Sequence, residues 1–356
     1  MKILVTGASG LLGSSVAAAL ASAGHTITTL QRRPSGVGGA RDIAASITDA
    51  AAVAEAVAGQ QAVVHLAAKV SMTGDPADFE AINIAGTRTL LSAAQDAGVS
   101  RFVHISSPSV AHAGDSLVGE GAGPADPEHA RGEYARTKAH GELLALAADS
   151  ADFRVLVLRP HLMWGPGDTQ LTERVIDRAR AGRMPVLGTG AALIDTLYIA
   201  NAVDAIVAAL TAVEHHHGEA LVVTNGQPRP VGELMTQMAL AGGARRPKLS
   251  VPVPAALAAG AVVEKVWDLV AEVEDTLTDR LPESAAARLR ETLSDEPPLT
   301  RFLAEQLSTA HWFDQRRTRE VLDWQPRVSI DEGLAELAAH YGGTAPEPGT
   351  ALTADR

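Results

Sequence analysis

Tyr134 and Lys138 lie four residues apart in Tyr-Ala-Arg-Thr-Lys, inside a stretch (133–148) that reads as a helix. A spacing of four places both side chains on one helical face. A free phenol, with a pKa of about 10, exchanges protons poorly at neutral pH. An ammonium beside it stabilises the phenolate and brings the group towards the working range. Tyr-x-x-x-Lys alone arises by chance on many helices, so the pair needs company. Ser106-Ser107 close a predicted strand (102–106), at the carboxyl edge where open α/β sheets bind ligands. A Ser107 hydroxyl there can donate to a carbonyl oxygen and hold it near Tyr134. The three side chains together suit proton exchange on a secondary alcohol or the matching ketone.

The start of the chain supplies a place for an anionic cofactor. The apolar run Lys2–Thr6 reads as a buried strand and leads into Gly7-Ala-Ser-Gly10-Leu11-Leu12-Gly13, then into an Ala-rich helix (12–23) that stops at Gly24. Three glycines at three-residue spacing allow a tight turn and close approach to a pyrophosphate, and the helix start offers free N–H groups and the positive end of its dipole. The backbone of Gly7, Gly10, Leu11, Leu12 and Gly13 is therefore the predicted cradle. Its G-x-x-G-x-x-G spacing matches the dehydrogenase G-x-G-x-x-G in mechanism rather than letter for letter. A turn chosen for packing alone is the alternative, and its place after the first strand favours a dinucleotide. The second strand (25–30) ends in Gln31-Arg32-Arg33, with no acid to hold a free ribose 2′-hydroxyl. Two guanidiniums suit a 2′-phosphate. NADP(H) is the expected cofactor, and NAD(H) the alternative.

These groups must be carried by a sheet. Further strands are predicted at 62–66, 154–158 and 220–224, alternating with helices at 51–58 (capped by Asp49), 79–97, 172–181 and 200–213. The pattern predicts an α/β fold, a doubly wound parallel sheet of Rossmann type, with a smaller, mostly helical C-terminal substrate lobe. Residues 1–160 are expected to form the dinucleotide-binding domain, with 196–224 returning to it, 161–343 the lobe, and 344–356 a disordered tail. Apolar residues make up 46% and aromatics 3% of the 356, so the core must be built from Ala, Val, Leu and Ile. A net charge of −12 argues against a nucleic-acid partner and a polybasic membrane anchor. With no cysteine, thiolate nucleophiles and Cys-based metal sites are excluded. His215-His216-His217 reads as a solvated loop, and no metal is expected. No secretory leader precedes Ile3-Leu4-Val5, and no apolar run reaches the ~20 residues that span a bilayer. The expectation is a cytoplasmic protein without stable membrane insertion, able to pair helices into a homodimer.

The glycine turn, strand-end serine and Tyr/Lys helix, in that order, resemble the extended short-chain dehydrogenase/reductase superfamily, the NAD-dependent epimerase/dehydratase-like enzymes. The resemblance runs from Met1 to about Tyr341. It includes His65-Leu-Ala67-Ala68, Asn83-Ile-Ala-Gly-Thr87, Arg159-Pro160 and Gly165-Pro-Gly-Asp168. It implies that Tyr134 is the acid–base, that Lys138 also bonds the nicotinamide ribose, and that Ser107 is the third catalytic member. Ala67 and Ala68 would line that ribose, and Pro160 and His161 would face the nicotinamide. Asn83 could polarise a water chain behind Lys138 or serve helix packing.

Three departures point to a branch. Pro108-Ser109 follows Ser107 where dehydratases place Asp-Glu, so the groups for water elimination are missing. Ile194 precedes Asp195 where nucleotide-sugar epimerases carry an arginine, which disfavours a diphosphate. Arg159 to Asp168 and Thr300 to Asp314 resemble the 3β-hydroxysteroid dehydrogenase and 2-alkyl-3-oxoacid reductase branch, whose substrates are small hydrophobic alcohols and ketones. Ser107, His161, Met163 and Trp164 are the expected substrate contacts, with Met and Trp as an adaptable apolar wall. Core packing is the alternative for each. An apolar stripe from Val262 to Leu277 reads as a packed helix or a lid. One of the arginines around Arg316 could bind a substrate carboxylate; otherwise they form a solvated face. A sugar epimerase holding NAD tightly, and a dinucleotide-sensing protein without catalysis, are the rival functions.

Overall fold

A computed structural model describes residues 1–71, 74–111, 114, 116–247, 249–263, 265 and 301–345. Seven strands form one all-parallel sheet: β1 (Lys2–Thr6), β2 (Thr26–Gln31), β3 (Arg41–Ala44), β4 (Ala62–His65), β5 (Arg101–Ile105), β6 (Arg154–Pro160) and β7 (Glu219–Val223). Their order across the sheet is β7-β6-β5-β4-β1-β2-β3. The order reverses between β1 and β4, which opens a crevice at their carboxyl ends. β1 pairs with β2 through Val5↔Thr29 and with β4 through Thr6↔His65, so the glycine turn leaves the sheet at that crevice.

The central strands are apolar on both faces because helices cover both. Ile3 and Val5 pack with Val16, Ala17 and Leu20 of α1 (Leu11–Ser22). Leu4 and Val63 pack on the other face with Val53 and Ala56 of α2 (Ala50–Val57) and with Leu90 and Leu91 of α3 (Thr87–Asp96). Asp49 caps α2 as expected, accepting from the N–H groups of Ala51 and Ala52 at 3.0 and 3.1 Å. Alanines at many contact positions let the helices lie close without aromatic bulk.

Two elements depart from the expected pattern. β3 is a four-residue edge strand whose Arg41, Asp42 and Ala44 are exposed, so it lacked the apolar run that marks a buried strand. The helix expected at 79–97 begins earlier, at Pro76, with Asp75 as its cap. It passes through a π-helical turn, Glu80–Gly86, before α3.

A second, four-stranded sheet joins Arg229–Pro230, Leu193–Ile194, His311–Phe313 and Leu117–Glu120 in that order. Helices Val231–Ala241 and Ile330–Tyr341 pack around Ile194, Trp164 and Tyr198 to form a separate core. Ser329 and Glu332 form a capping box at the start of the last helix. Of the predicted stripe, residues 266–277 lie outside the described residues, as does the expected tail over 346–356. Thr344 is described, and its N–H donates to Leu240 O.

Candidate active site

The cradle is built by close approach. A Cβ on Gly7, whose φ is +77°, would lie 2.8 Å from Ala67 N, and a Cβ on Gly13 would lie 2.3 Å from Gly7 O. Neither position can hold a larger residue without moving backbone. Gly10 is the N-cap of α1 and offers no side-chain cap, so the first N–H groups of the helix keep their donors for a ligand. These features fit a pyrophosphate. Thr6 Oγ1 accepts from Ala67 N (3.1 Å) and bonds to His65 Nδ1 (2.8 Å), while His65 Nε2 bonds to Thr87 Oγ1 (3.0 Å). The network ties the glycine turn to the Ala67-Ala68 segment across the crevice. Burial, with the Lys138 charge added, lowers the His65 imidazole to about 3, so it stays neutral.

At the outer end of β2, Arg32 and Arg33 are exposed and form no ion pair among the described residues. Gln31 is buried beside them. Its Nε2 donates to Thr29 Oγ1 at 3.0 Å, and its Oε1 has no partner.

The Tyr/Lys helix, α4, runs over Gly132–Ala147. Tyr134 is half-buried, and Ser107 lies near enough to its phenol to draw the pKa down against burial. Ser107 Oγ also meets Ser109 Oγ at 2.9 Å. Lys138, one turn along, is buried and its Nζ donates to the carbonyl of Ile105, the last residue of β5, at 2.6 Å. Burial lowers this ammonium to about 8, against the pull of Glu142. The expected depression of the phenol by Lys138 is not found. Burial pushes the Tyr134 phenol above its usual range, and the opposing pull comes from Ser107. The ammonium is turned to the Ile105 carbonyl instead.

Behind Lys138 the same helix face carries Glu142, a residue the sequence reading missed. Its carboxylate receives Arg159 Nε at 2.9 Å and Nη2 at 2.5 Å, with both side chains fully buried. Arg159 also donates to the carbonyls of Ala122 and Gly123. Glu142 follows Lys138 by four residues, so spacing could have found it, but its partner lies on β6, a separate element.

Past β6, His161 is buried and its Nδ1 donates to the Asp195 carbonyl at 2.5 Å. Its ring packs edge-on against Phe313, with centroids 5.0 Å apart. Leu162 has φ +43°, a left-handed conformation costly for a non-glycine residue. Met163 is half-buried. Trp164 corrects an expectation: it is fully buried, its Nε1 donates to Thr196 Oγ1 at 2.9 Å, and it stacks edge-on with Tyr198. It is a core residue and not a pocket wall. Asn83 is likewise committed to packing, accepting from Lys69 N (2.8 Å) and donating to Thr137 Oγ1 (3.0 Å). Among the described residues no group of His, Asp and Glu is placed to hold a metal, and no helix is long and apolar enough to cross a membrane.

Comparison with known proteins decides the family. The profile of the NAD dependent epimerase/dehydratase family matches residues 3–224. The chain belongs to that family. The 2-alkyl-3-oxoalkanoate reductase of Stenotrophomonas maltophilia is 38% identical over 351 residues, covering 95% of this chain and 99% of that protein. The 3 beta-hydroxysteroid dehydrogenase/Delta 5→4-isomerase of Mycobacterium tuberculosis is 26% identical, covering 96% of this chain and 90% of that protein. Among solved structures, MoeE5 in complex with UDP-glucose and NAD superposes with a TM-score of 0.69 at 23% identity, covering 96% and 98% of the two chains. That likeness shows the fold. As a member of that NAD-dependent family with oxidoreductase relatives along nearly all of its length, the chain is an enzyme of the oxidoreductase class.

Proposed function

We propose that this enzyme interconverts a secondary alcohol and a ketone on a small hydrophobic substrate, with a 2-alkyl-3-oxoacid as the preferred class. The nearness of the Ser107 hydroxyl to the Tyr134 phenol carries the reading, with Lys138 Nζ fixed at the Ile105 carbonyl on the same strand end, because an acid–base phenol, a hydroxyl and an ammonium then share the carboxyl edge of β5. The 38% identity to a 2-alkyl-3-oxoalkanoate reductase supports the substrate class. A bound nicotinamide would supply or accept the hydride. Ser107 holds the substrate oxygen, and Tyr134 gives that oxygen a proton in reduction or takes it in oxidation. Lys138, held at the carboxyl end of β5 by the Ile105 carbonyl, would anchor the cofactor ribose. Gly7, Gly10, Leu11, Leu12 and Gly13 hold the pyrophosphate, Ala67 and Ala68 the ribose, and Pro160 and His161 the nicotinamide edge. Met163, half-buried beyond His161, offers an apolar substrate contact.

NADP(H) is the preferred cofactor in this reading, supported by two exposed guanidiniums at the end of β2 that form no ion pair among the described residues. The same reading makes it a cytoplasmic enzyme, the compartment of its cofactor pool. Leu143, exposed on the outer side of α4, offers an apolar contact to a second copy in a homodimer.

The test is a panel of 2-alkyl-3-oxoacids, steroid alcohols and neutral ketones with both nicotinamides, followed at the reduced-nicotinamide absorbance band. Turnover of an oxoacid that falls by about 10²–10⁴-fold in Tyr134→Phe, with cofactor affinity kept, is the expected result. Turnover without net absorbance change would point to an epimerase. Unchanged turnover in Tyr134→Phe would refute the assignment.

A further inference from the structure

A pocket of about 460 Å³ lies beside the second sheet, lined by Asp195, Trp312, Phe313, Gln315 and Arg319 among others. Gln315 is 6% exposed, and its Oε1 accepts from Thr224 N at 3.0 Å. That bond fixes the amide, and leaves its Nε2 buried with no partner. Arg319 stands one helical turn further, its N–H bonded to Gln315 O at 2.9 Å, and its Nε is also buried without a hydrogen-bond partner. The guanidinium lies against Gly226, where an added Cβ would come within 2.6 Å of Nη2. Both residues line the cavity, and each carries a desolvated donor that calls for an acceptor, since an unmet buried donor is destabilising.

The rest of the lining narrows the ligand. Asp195 and Asp314 balance Arg319 and Arg316, and Asp314 is already paired with Arg316 at 2.5 Å. A dianion would meet two carboxylates, whereas a monoanion can take the two free donors. Trp312, Phe313 and Pro228 supply apolar surface on the same pocket. We propose that Gln315 and Arg319 bind the carboxylate of a small acid whose apolar body lies on Trp312 and Phe313. The site adjoins the chemistry through two contacts. Phe313 packs on the His161 ring, and the backbone carbonyl of Asp195 holds His161 Nδ1.

The carboxylate can belong to the oxoacid substrate or to a separate acid. The probe is sodium octanoate, titrated calorimetrically into the full chain, with octan-1-ol and inorganic phosphate as controls. Octanoate is expected to bind one per chain, and both controls at least tenfold more weakly. Gln315→Glu keeps the acceptor for Thr224 N–H but removes the donor, and Arg319→Met removes the guanidinium. Each should weaken octanoate at least tenfold while melting as the parent does. Absence of octanoate binding to the parent, equal binding of octan-1-ol or phosphate, or a change below twofold in both variants would overturn the site. Should the variants melt lower, Gln315→Met alone must reproduce the loss in calorimetry at a temperature where it is folded. Competition between octanoate and an oxoacid identifies the carboxylate as the substrate's; simultaneous binding identifies a separate acid. The calorimetric result stands even if no oxoacid is turned over, so failure of the proposed activity and failure of this site are distinguishable.

Discussion

Arg159 grips Glu142 through two parallel hydrogen bonds in a fully buried pair, and so ties the end of β6 to the helix that carries Tyr134 and Lys138. The fork also reaches the carbonyls of Ala122 and Gly123, so one guanidinium holds three segments around the site. Removing one partner leaves the other charge buried and unpaired, which costs about 3–5 kcal/mol. Glu142→Gln is therefore expected to lower the unfolding free energy by an amount of that order in denaturant titrations. Glu142→Gln combined with Arg159→Met should lose less than the two single variants together. Simple additivity would show that the pair is not a coupled unit.

The glycine cradle separates packing from ligand approach. A Cβ at Gly13 strikes Gly7 O at 2.3 Å, whereas one at Gly10 meets only Gly7 O at an ordinary 3.6 Å. Gly13→Ala should destabilise the cofactor-free protein by about 1–3 kcal/mol, the usual range for overpacking. Gly10→Ala should melt as the parent does yet bind nicotinamide dinucleotide at least tenfold more weakly, because its Cβ stands in the path of the pyrophosphate. Full cofactor affinity in Gly10→Ala would remove the cradle from the account.

The elements legible in the sequence are those specified locally. The β1–turn–α1 unit follows from an apolar run and three spaced glycines, and Asp49 marked α2 through its own cap. Tyr134 and Lys138 were found because helical spacing puts them on one face. What escaped depends on partners far along the chain. Glu142 meets Arg159 from another element. Trp164 looked like a wall residue until Thr196, 32 positions on, was seen to take its indole N–H. β3 was invisible because an exposed edge strand needs no apolar run. Asn201 likewise holds Arg327, Val328 and Asn225, all more than twenty positions away. His217 pairs with Asp149 on the surface, in keeping with a solvated loop.

His104 lies beside His65 on neighbouring strands, their rings 5.3 Å apart, and neither of its nitrogens has a hydrogen-bond partner. Burial, reinforced by the Lys138 charge, holds its pKa well below the usual imidazole value. Such a group binds its proton more readily when unfolded. Its contribution is fully present above a pH of about 6.5 and is lost as the pH falls towards the folded-state value. His104→Leu removes this liability and two unmet polar atoms. The variant is expected to match or exceed the parent by about 1 kcal/mol at pH 7. Its melting temperature should also fall less between pH 7 and pH 5. Parallel pH dependence in the two proteins would contradict the burial of an unpartnered imidazole.

Cofactor choice turns on the end of β2. Arg32 and Arg33 stand exposed and form no ion pair among the described residues, while the buried Gln31 Oε1 has no hydrogen-bond partner; on the proposed reading the arginines take a 2′-phosphate and Gln31 a 2′-hydroxyl. Charge-assisted hydrogen bonds contribute about 1.5–3 kcal/mol each, or roughly tenfold to a hundredfold in affinity. Arg32→Ala with Arg33→Ala should therefore weaken NADPH binding at least tenfold. NADH, whose hydroxyl can still donate to Gln31, should change less than twofold. Fluorescence titration of both reduced cofactors into parent and variant measures the difference directly. Equal weakening of the two would mean that the arginines act on a feature both cofactors share, and the preference for the phosphorylated form would have to be abandoned.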